Sequence, residues 1–160
     1  MLDKPMSDKL TALFKRMLAF YEKFLQLETE KYEDVKAGVL DRLDQRIREE
    51  QAFLLKARGL EHERLKLQEK AGCPQTAFRD LIPLFAPEQQ ESMRKLYDDL
   101  SAVIRKLKQT NEDCNRLTGA KLHQAEIILN RMQNSPELRA VYDSKVKKRT
   151  QAPGLFSEKV

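Results

Sequence analysis

Apolar residues near the start of the chain recur every three or four positions, which is the spacing of one face of an α-helix. The stripe consists of Leu10, Leu13, Phe14, Met17, Leu18, Tyr21, Phe24 and Leu25. Ser7, just before the stripe, suits the cap of a helix N-terminus, and a polar continuation of the stripe reaches Gly38, after which the apolar period restarts. The pattern therefore predicts a first long helix between these two residues.

A second apolar stripe begins after Gly38 and predicts a second, longer helix. Its first members are Leu40, Leu43, Ile47 and Leu54. Gly72 predicts the end of this helix. Many charged residues occupy its later half, and Gly59 lowers the helix propensity there. We expect this later half to be less buried and to project beyond the bundle.

The prolines between Cys73 and Pro87 interrupt the helical pattern. The apolar residues of this segment predict a short helical turn that packs as a plug, and they are Phe78, Leu81, Ile82, Leu84 and Phe85. Pro87 suits the first turn of a new helix, because a proline there has no backbone donor to lose.

The last helix carries the strongest pattern, an unbroken heptad that begins at Met93. Its positions are Met93, Tyr97, Leu100, Ile104, Leu107, Asn111, Cys114, Thr118, Lys121, Ala125, Ile128 and Met132. A helix of this length would be on the order of 65 Å long, which is more than a compact domain of this size needs. Part of it is therefore expected to pack elsewhere or to protrude.

The segment KQTNEDCNRL places two asparagines, Asn111 and Asn115, inside this last helix. Asn111 occupies a heptad position between Leu107 and Cys114, where an apolar residue is expected. A buried asparagine lowers the stability of a coiled coil but fixes its register, because a misaligned amide finds no partner. We therefore interpret the two residues as a structural polar seam. Leucine at position 111 is expected to raise thermal stability and to relax the register or the oligomeric state.

Together these elements predict an all-α fold. The predicted architecture is an elongated antiparallel helical bundle, or coiled coil, of three main helices with the short plug between the second and the third. Residues 1–142 are predicted to form one helical domain. Residues 143–160, which contain the basic run KVKKR, are predicted to form a flexible tail.

Composition and charge narrow the class of protein. The net charge is +5, but the basic residues are mostly interleaved with acidic ones, as on a solvated helix face. This arrangement does not favour nucleic-acid binding. No apolar run is long enough to insert into a membrane, and the N-terminus lacks the order of a signal peptide. A cytoplasmic protein with reduced cysteines is expected.

The sequence lacks the motifs that are typical of catalytic and metal sites. It has no phosphate-binding loop, dinucleotide fingerprint or HExxH motif. His62 and His123 are far apart in charged helices, where solvent exposure is the usual fate of a histidine. The sequence therefore predicts no enzyme, no catalytic residues, no metal site and no cofactor.

The asparagine pair resembles a motif of the FlgN-type flagellar export chaperones. In that family an L…N…N…L pattern lies late in the long helix, and Asn111, Asn115 and Leu117 match it. A first helix around FLQLETEKY, a charged second helix, a short linker and a long last helix complete the similarity, which covers roughly residues 10 to 145. The resemblance implies a chaperone domain over residues 1–142. It also implies that hook-filament junction proteins are the clients and that components of the flagellar export gate are partners.

Apolar residues on the last helix are consistent with the binding of a client's terminal helix. They spread over more than one face of the helix, so one intramolecular seam cannot cover all of them. We assign client binding to Leu117, Leu122, Ile127, Ile128 and Met132, and to Leu138 and Val141 in the helical turn that follows Pro136. The alternative that these side chains pack on the first helix or in a homodimer stays open.

Tyr142 matches the position of a family tyrosine that is linked to client and export-gate contact. The family has a glycine-containing turn after this tyrosine, whereas the sequence here is YDSK. We assign Tyr142 to contact with the export gate. Two other hypotheses are a non-enzymatic coiled-coil scaffold or dimerisation protein, and a basic helical nucleic-acid binder.

Overall fold

The protein is described by a computed structural model that covers residues 1–133, 136, 137, 140, 141 and 144. Among residues 1–133 the structure has four α-helices: α1 (Lys4–Ala37), α2 (Leu43–Lys70), the short α3 (Phe78–Leu81) and α4 (Pro87–Met132). A 3-10 turn, Ile82–Leu84, follows α3. The described residues contain no strand, so the all-α prediction is confirmed. The predicted tail, residues 143–160, lies outside the described residues apart from Ser144.

Helix α1 begins one turn earlier than the sequence predicted. Asp3 is its N-cap, and the Asp3 Oδ1 atom accepts a hydrogen bond of 2.8 Å from the backbone N–H of Met6. Pro5 lies in the first turn, where a proline is tolerated, so the helix can start there. The assignment of Ser7 as the cap was wrong. Ser7 is a buried residue of α1, and its hydroxyl donates to Gln89 Oε1 of α4 at 2.6 Å.

Gly38 ends α1 as predicted. Its φ angle is 71°, in the left-handed region where a side chain is strained, and the N–H of Val39 bonds the carbonyl of Asp34 at 2.9 Å. These contacts satisfy carbonyl groups at the end of the helix. The chain then reverses, and α2 runs antiparallel to α1. Lys31, for example, lies 2.8 Å from Glu50 across this hairpin.

The expectation that the later half of α2 is less buried and projects was wrong. Ala57, Leu60 and Gln68 are buried there, whereas Glu50 is the buried residue of the earlier half. The later half lies beside the aromatic-rich part of α1, which the charge pattern of α2 alone does not show. Gln68 also holds the following loop, because its amide donates to the carbonyl of Thr76 at 2.6 Å.

The predicted plug is confirmed by the segment of α3 and the 3-10 turn. Leu81, Ile82 and Phe85 are buried in the main core. Phe78 stacks on Phe14 of α1, with ring centroids 3.7 Å apart, and meets Tyr97 of α4 edge-on. The plug therefore closes the end of the bundle where α1 and α4 both begin.

Helix α4 runs parallel to α1 and packs along it. Ser7 pairs with Gln89, and Glu28 pairs with Asn111, so the offset between the helices is 82 or 83 residues. The predicted heptad positions from Met93 to Cys114 are buried, except for the half-buried Tyr97. Ala37, the last residue of α1, lies level with residue 120 at this offset. Residues 121–132, called here the distal segment, therefore extend about 18 Å beyond the end of α1.

Candidate functional site

A buried polar layer ties the three long helices together near the end of α1. Its members are Glu28 and Lys31 of α1, Glu50 of α2 and Asn111 of α4, and all are buried. Lys31 Nζ lies 3.0 Å from Glu28 Oε2 and 2.8 Å from Glu50 Oε2. Asn111 Nδ2 donates to the same Glu28 oxygen at 3.3 Å. The layer fixes the relative register of all three helices.

Only the Asn111 part of this layer was predicted from the sequence. Asn115 donates its amide to Asn111 Oδ1 at 3.3 Å but is itself exposed, so it supports the layer from the surface. The charged members were missed, although the stripe of α1 passes through Phe24, Glu28 and Lys31 at helical spacing. Extending that stripe through polar residues would have found them.

Burial and charge act in opposite directions on the ionisable groups of the layer. Burial alone lowers the pKa of Lys31, but the two neighbouring carboxyl groups outweigh it, and the pKa is raised. Burial also raises the pKa of Glu50, which reaches about 7 because Lys31 only partly offsets the desolvation. Burial raises the pKa of the Cys114 thiol beside the layer. Glu50 is therefore the group of the layer that titrates near neutral pH.

Replacing Asn111 by leucine is expected to lower the free energy of unfolding by about 1–3 kcal/mol, because the buried carboxyl group of Glu28 loses a hydrogen bond and keeps its contact with Lys31. Within the described chain Glu28 Oε1 is already buried without a partner, and the change removes a donor from Glu28 Oε2. Because of the hydrogen bond between Asn111 and Glu28, leucine at position 111 is expected to lower stability, whereas the sequence alone predicted a rise. Thermal and urea unfolding measure the effect, with Asn115→Leu as the exposed control. A rise in melting temperature for Asn111→Leu would restore the original prediction.

The stability of the protein is expected to fall between about pH 5 and about pH 8 because of Glu50. The folded state holds the proton up to a pKa of about 7, against an ordinary value of 4.5, so folding favours the protonated form. The stabilising contribution is present below the ordinary pKa and is lost as pH rises through about 7. Lys31 stays protonated across this range.

The variant Glu50→Gln isolates this contribution, because glutamine resembles the protonated carboxyl group. The stability of the natural protein minus that of Glu50→Gln should decrease by about 2 kcal/mol over this pH range. Urea unfolding of both proteins at several pH values measures the difference. A difference that does not vary with pH would show that Glu50 does not titrate in this window.

The distal segment of α4 leaves large apolar side chains exposed. Leu122 is 60% exposed, Ile127 39% and Ile128 44%. Met132 and Leu117 are half-buried. Of these residues, Ile128 and Met132 hold heptad positions that continue from the part of α4 that packs on α1. Large apolar side chains that are exposed on a helix are typical of a protein-binding surface.

The predicted client-binding residues do not all share one face. Ile128 and Met132 hold heptad positions, and Leu122 lies beside the heptad residue Lys121. Ile127 is turned about 100° from Ile128, away from the stripe that faces α1. Val141 is described and is exposed. Leu138 and Tyr142 lie outside the described residues.

A comparison with protein families shows the family to which this chain belongs. A family model described as FlgN protein matches residues 6–150, which is most of the chain. The chain belongs to the FlgN family. This FlgN-family protein is therefore a flagellar export chaperone. No curated protein and no solved structure matches the chain.

In the described part of the chain, no cluster of three or more His, Cys, Asp or Glu is placed to hold a metal ion. None of the helices described there is long and apolar enough to cross a membrane.

Proposed function

We propose that this protein binds the terminal helices of hook-filament junction proteins, keeps these clients soluble and delivers them to the flagellar export gate. The proposed place of action is the cytoplasm, and the proposed role involves binding without catalysis. Family membership supports the general role of export chaperone. The identity of the clients and the delivery step are the proposal.

The exposed stripe of the distal segment is the observation that carries this proposal. An amphipathic client helix buries its apolar face when it lies along a helix that offers apolar residues at matching spacing. Ile128, which is exposed, and Met132, which is half-buried, lie at such a spacing, four residues apart. The flexible thioether of Met132 can adapt to different client side chains. One surface of this kind can therefore serve more than one junction protein.

The residues after α4 are proposed to complete the site. Leu138 and Val141 are proposed to add client contacts, and Tyr142 is proposed to contact the export gate. A variant Tyr142→Ala that binds its client normally but fails to support export would agree with this division. Equal loss of binding and export would instead place Tyr142 in the client site.

Co-expression with the hook-filament junction proteins of the same organism tests the proposal. The purified mixture is separated by size-exclusion chromatography, once with the full chain and once with residues 134–160 deleted. A complex that forms with the full chain and weakens with the deletion is the expected result. Elution of the chain alone, as an oligomer of constant size, would contradict client binding and favour the scaffold or homodimer hypothesis.

A further inference from the structure

We propose that the client helix continues the line of α1 along α4, runs parallel to α4, and carries an acidic first turn. This inference rests on the proposed function and adds the face, the direction and the chemistry of the bound helix. The partner is an amphipathic helix with Asp or Glu in its first turn. Apolar residues at three-and-four spacing follow for about three turns, the length of the distal segment.

The heptad stripe of α4 continues past the end of α1, and this continuity identifies the face of α4 on which the client is proposed to bind. Leu100, Ile104 and Leu107 pack against α1 in the core of the bundle. The same heptad continues to Ile128 and Met132, past the level where α1 ends. A helix placed where α1 would continue meets the stripe with the same packing geometry that α1 uses. The client thus extends an interface that already exists within the chain.

Two lysines give the near end of this face its charge. Lys36 lies in the last turn of α1, and Lys121 is a heptad residue of α4. The helix offset places Lys36 level with residue 119, so the two are within one turn along the axis. Both are exposed, and neither makes an ion pair or hydrogen bond with any residue described in the structure. Acidic client side chains at this end would neutralise both charges.

The dipole of α1 favours one direction for the bound client helix. The C-terminus of α1 at Gly38 carries the negative end of the helix dipole, and the N-terminus of a helix carries the positive end. A client helix that runs parallel to α4 places its N-terminus against this negative end. The opposite direction would bring two negative ends together. Acidic residues are also favoured in the first turn of a helix, so the lysines and the dipole select the same orientation.

Ile127 and Ile128 provide a matched pair for testing the face. They are neighbours with the same side chain and similar exposure, 39% and 44%. Ile128 lies on the heptad stripe, whereas Ile127 is turned about 100° away from it. A client on the proposed face contacts Ile128 and leaves Ile127 in solvent.

The experiment titrates the full chain against a fluorescently labelled hook-filament junction protein of the same organism. Ile128→Asp should weaken binding at least tenfold, and Ile127→Asp should change it less than threefold. Lys36→Glu combined with Lys121→Glu should weaken binding about tenfold, because attraction becomes repulsion. Replacing the acidic residues of the client's first turn by lysine should then recover most of the loss.

The outcomes separate this inference from the proposed function. Absence of binding by the unmodified chain would contradict the proposed function itself. Normal binding that is damaged equally by Ile127→Asp and Ile128→Asp would overturn the proposed face. Binding that is insensitive to the lysine reversals, or recovered by basic residues in the last turn of the client helix, would overturn the proposed direction.

Discussion

Replacing Lys31 by methionine should lower the free energy of unfolding by about 3–5 kcal/mol near neutral pH, the usual cost of removing one partner of a buried ionic group. The change leaves the carboxyl groups of Glu28 and Glu50 buried without the ammonium group that lies within 3.0 Å of both. Methionine keeps most of the side-chain volume of lysine. The loss of stability therefore results from the missing charge and not from a cavity. Urea unfolding followed by the helical circular dichroism signal measures it.

The exposed residue Lys36 supplies the control for this prediction. Lys36→Met changes the same residue type on the same helix and should alter stability by less than about 0.5 kcal/mol. Adding Glu50→Gln to Lys31→Met should recover part of the loss, because one buried carboxyl group is removed. A loss of the same size at both lysines would show that the buried layer is not the cause.

The double variant Ile128→Asp with Met132→Asp should abolish client binding, with an affinity loss of about a hundredfold or more. Two carboxylates on the exposed stripe would have to be desolvated when the client helix packs there. The fold should survive, because Ile128 is exposed and Met132 half-buried, beyond the part of α4 that packs on α1. Titration with a purified junction protein measures binding, and thermal unfolding verifies the fold.

A matched double variant on another helix tests the location. Leu55→Asp with Leu65→Asp removes two exposed leucines of α2 and adds the same charge. Client binding should stay unchanged in this protein. If the α2 variant loses binding while the α4 variant retains it, the client surface lies on α2 and the role of the distal segment is excluded.

The sequence predicted the helical elements well where local chemistry determines them. Gly38 ends α1 in a left-handed conformation, and Pro87 begins α4 as expected. The apolar residues around Phe85 pack as a plug because prolines isolate them from the long helices. These features depend on residues close together in the chain, so the printed sequence contains most of the information.

Features that depend on distant residues were predicted less well. The later half of α2 is buried because it lies beside the aromatic residues of α1, and the charges of α2 alone indicate exposure. Asn111 was recognised as a polar position, but its partners Glu28, Lys31 and Glu50 come from two other helices. The candidate site shows the same division. The heptad predicted that part of the last helix protrudes. The residue of α4 at which α1 stops covering the heptad stripe could be identified only from the structure.

The parallel pairing of α1 and α4 has a consequence for how the protein folds. Contacts between α1 and α2 join residues as close in sequence as Asp34 and Arg46, 12 positions apart, whereas α1 meets α4 across 82 or 83 positions. Closing the longer loop costs more chain entropy, so the α1–α2 hairpin has the kinetic advantage. During synthesis the hairpin also emerges first. We therefore expect the last helix to dock on a preformed hairpin, and the proposed client surface at its end to become usable only when the rest of the molecule is complete.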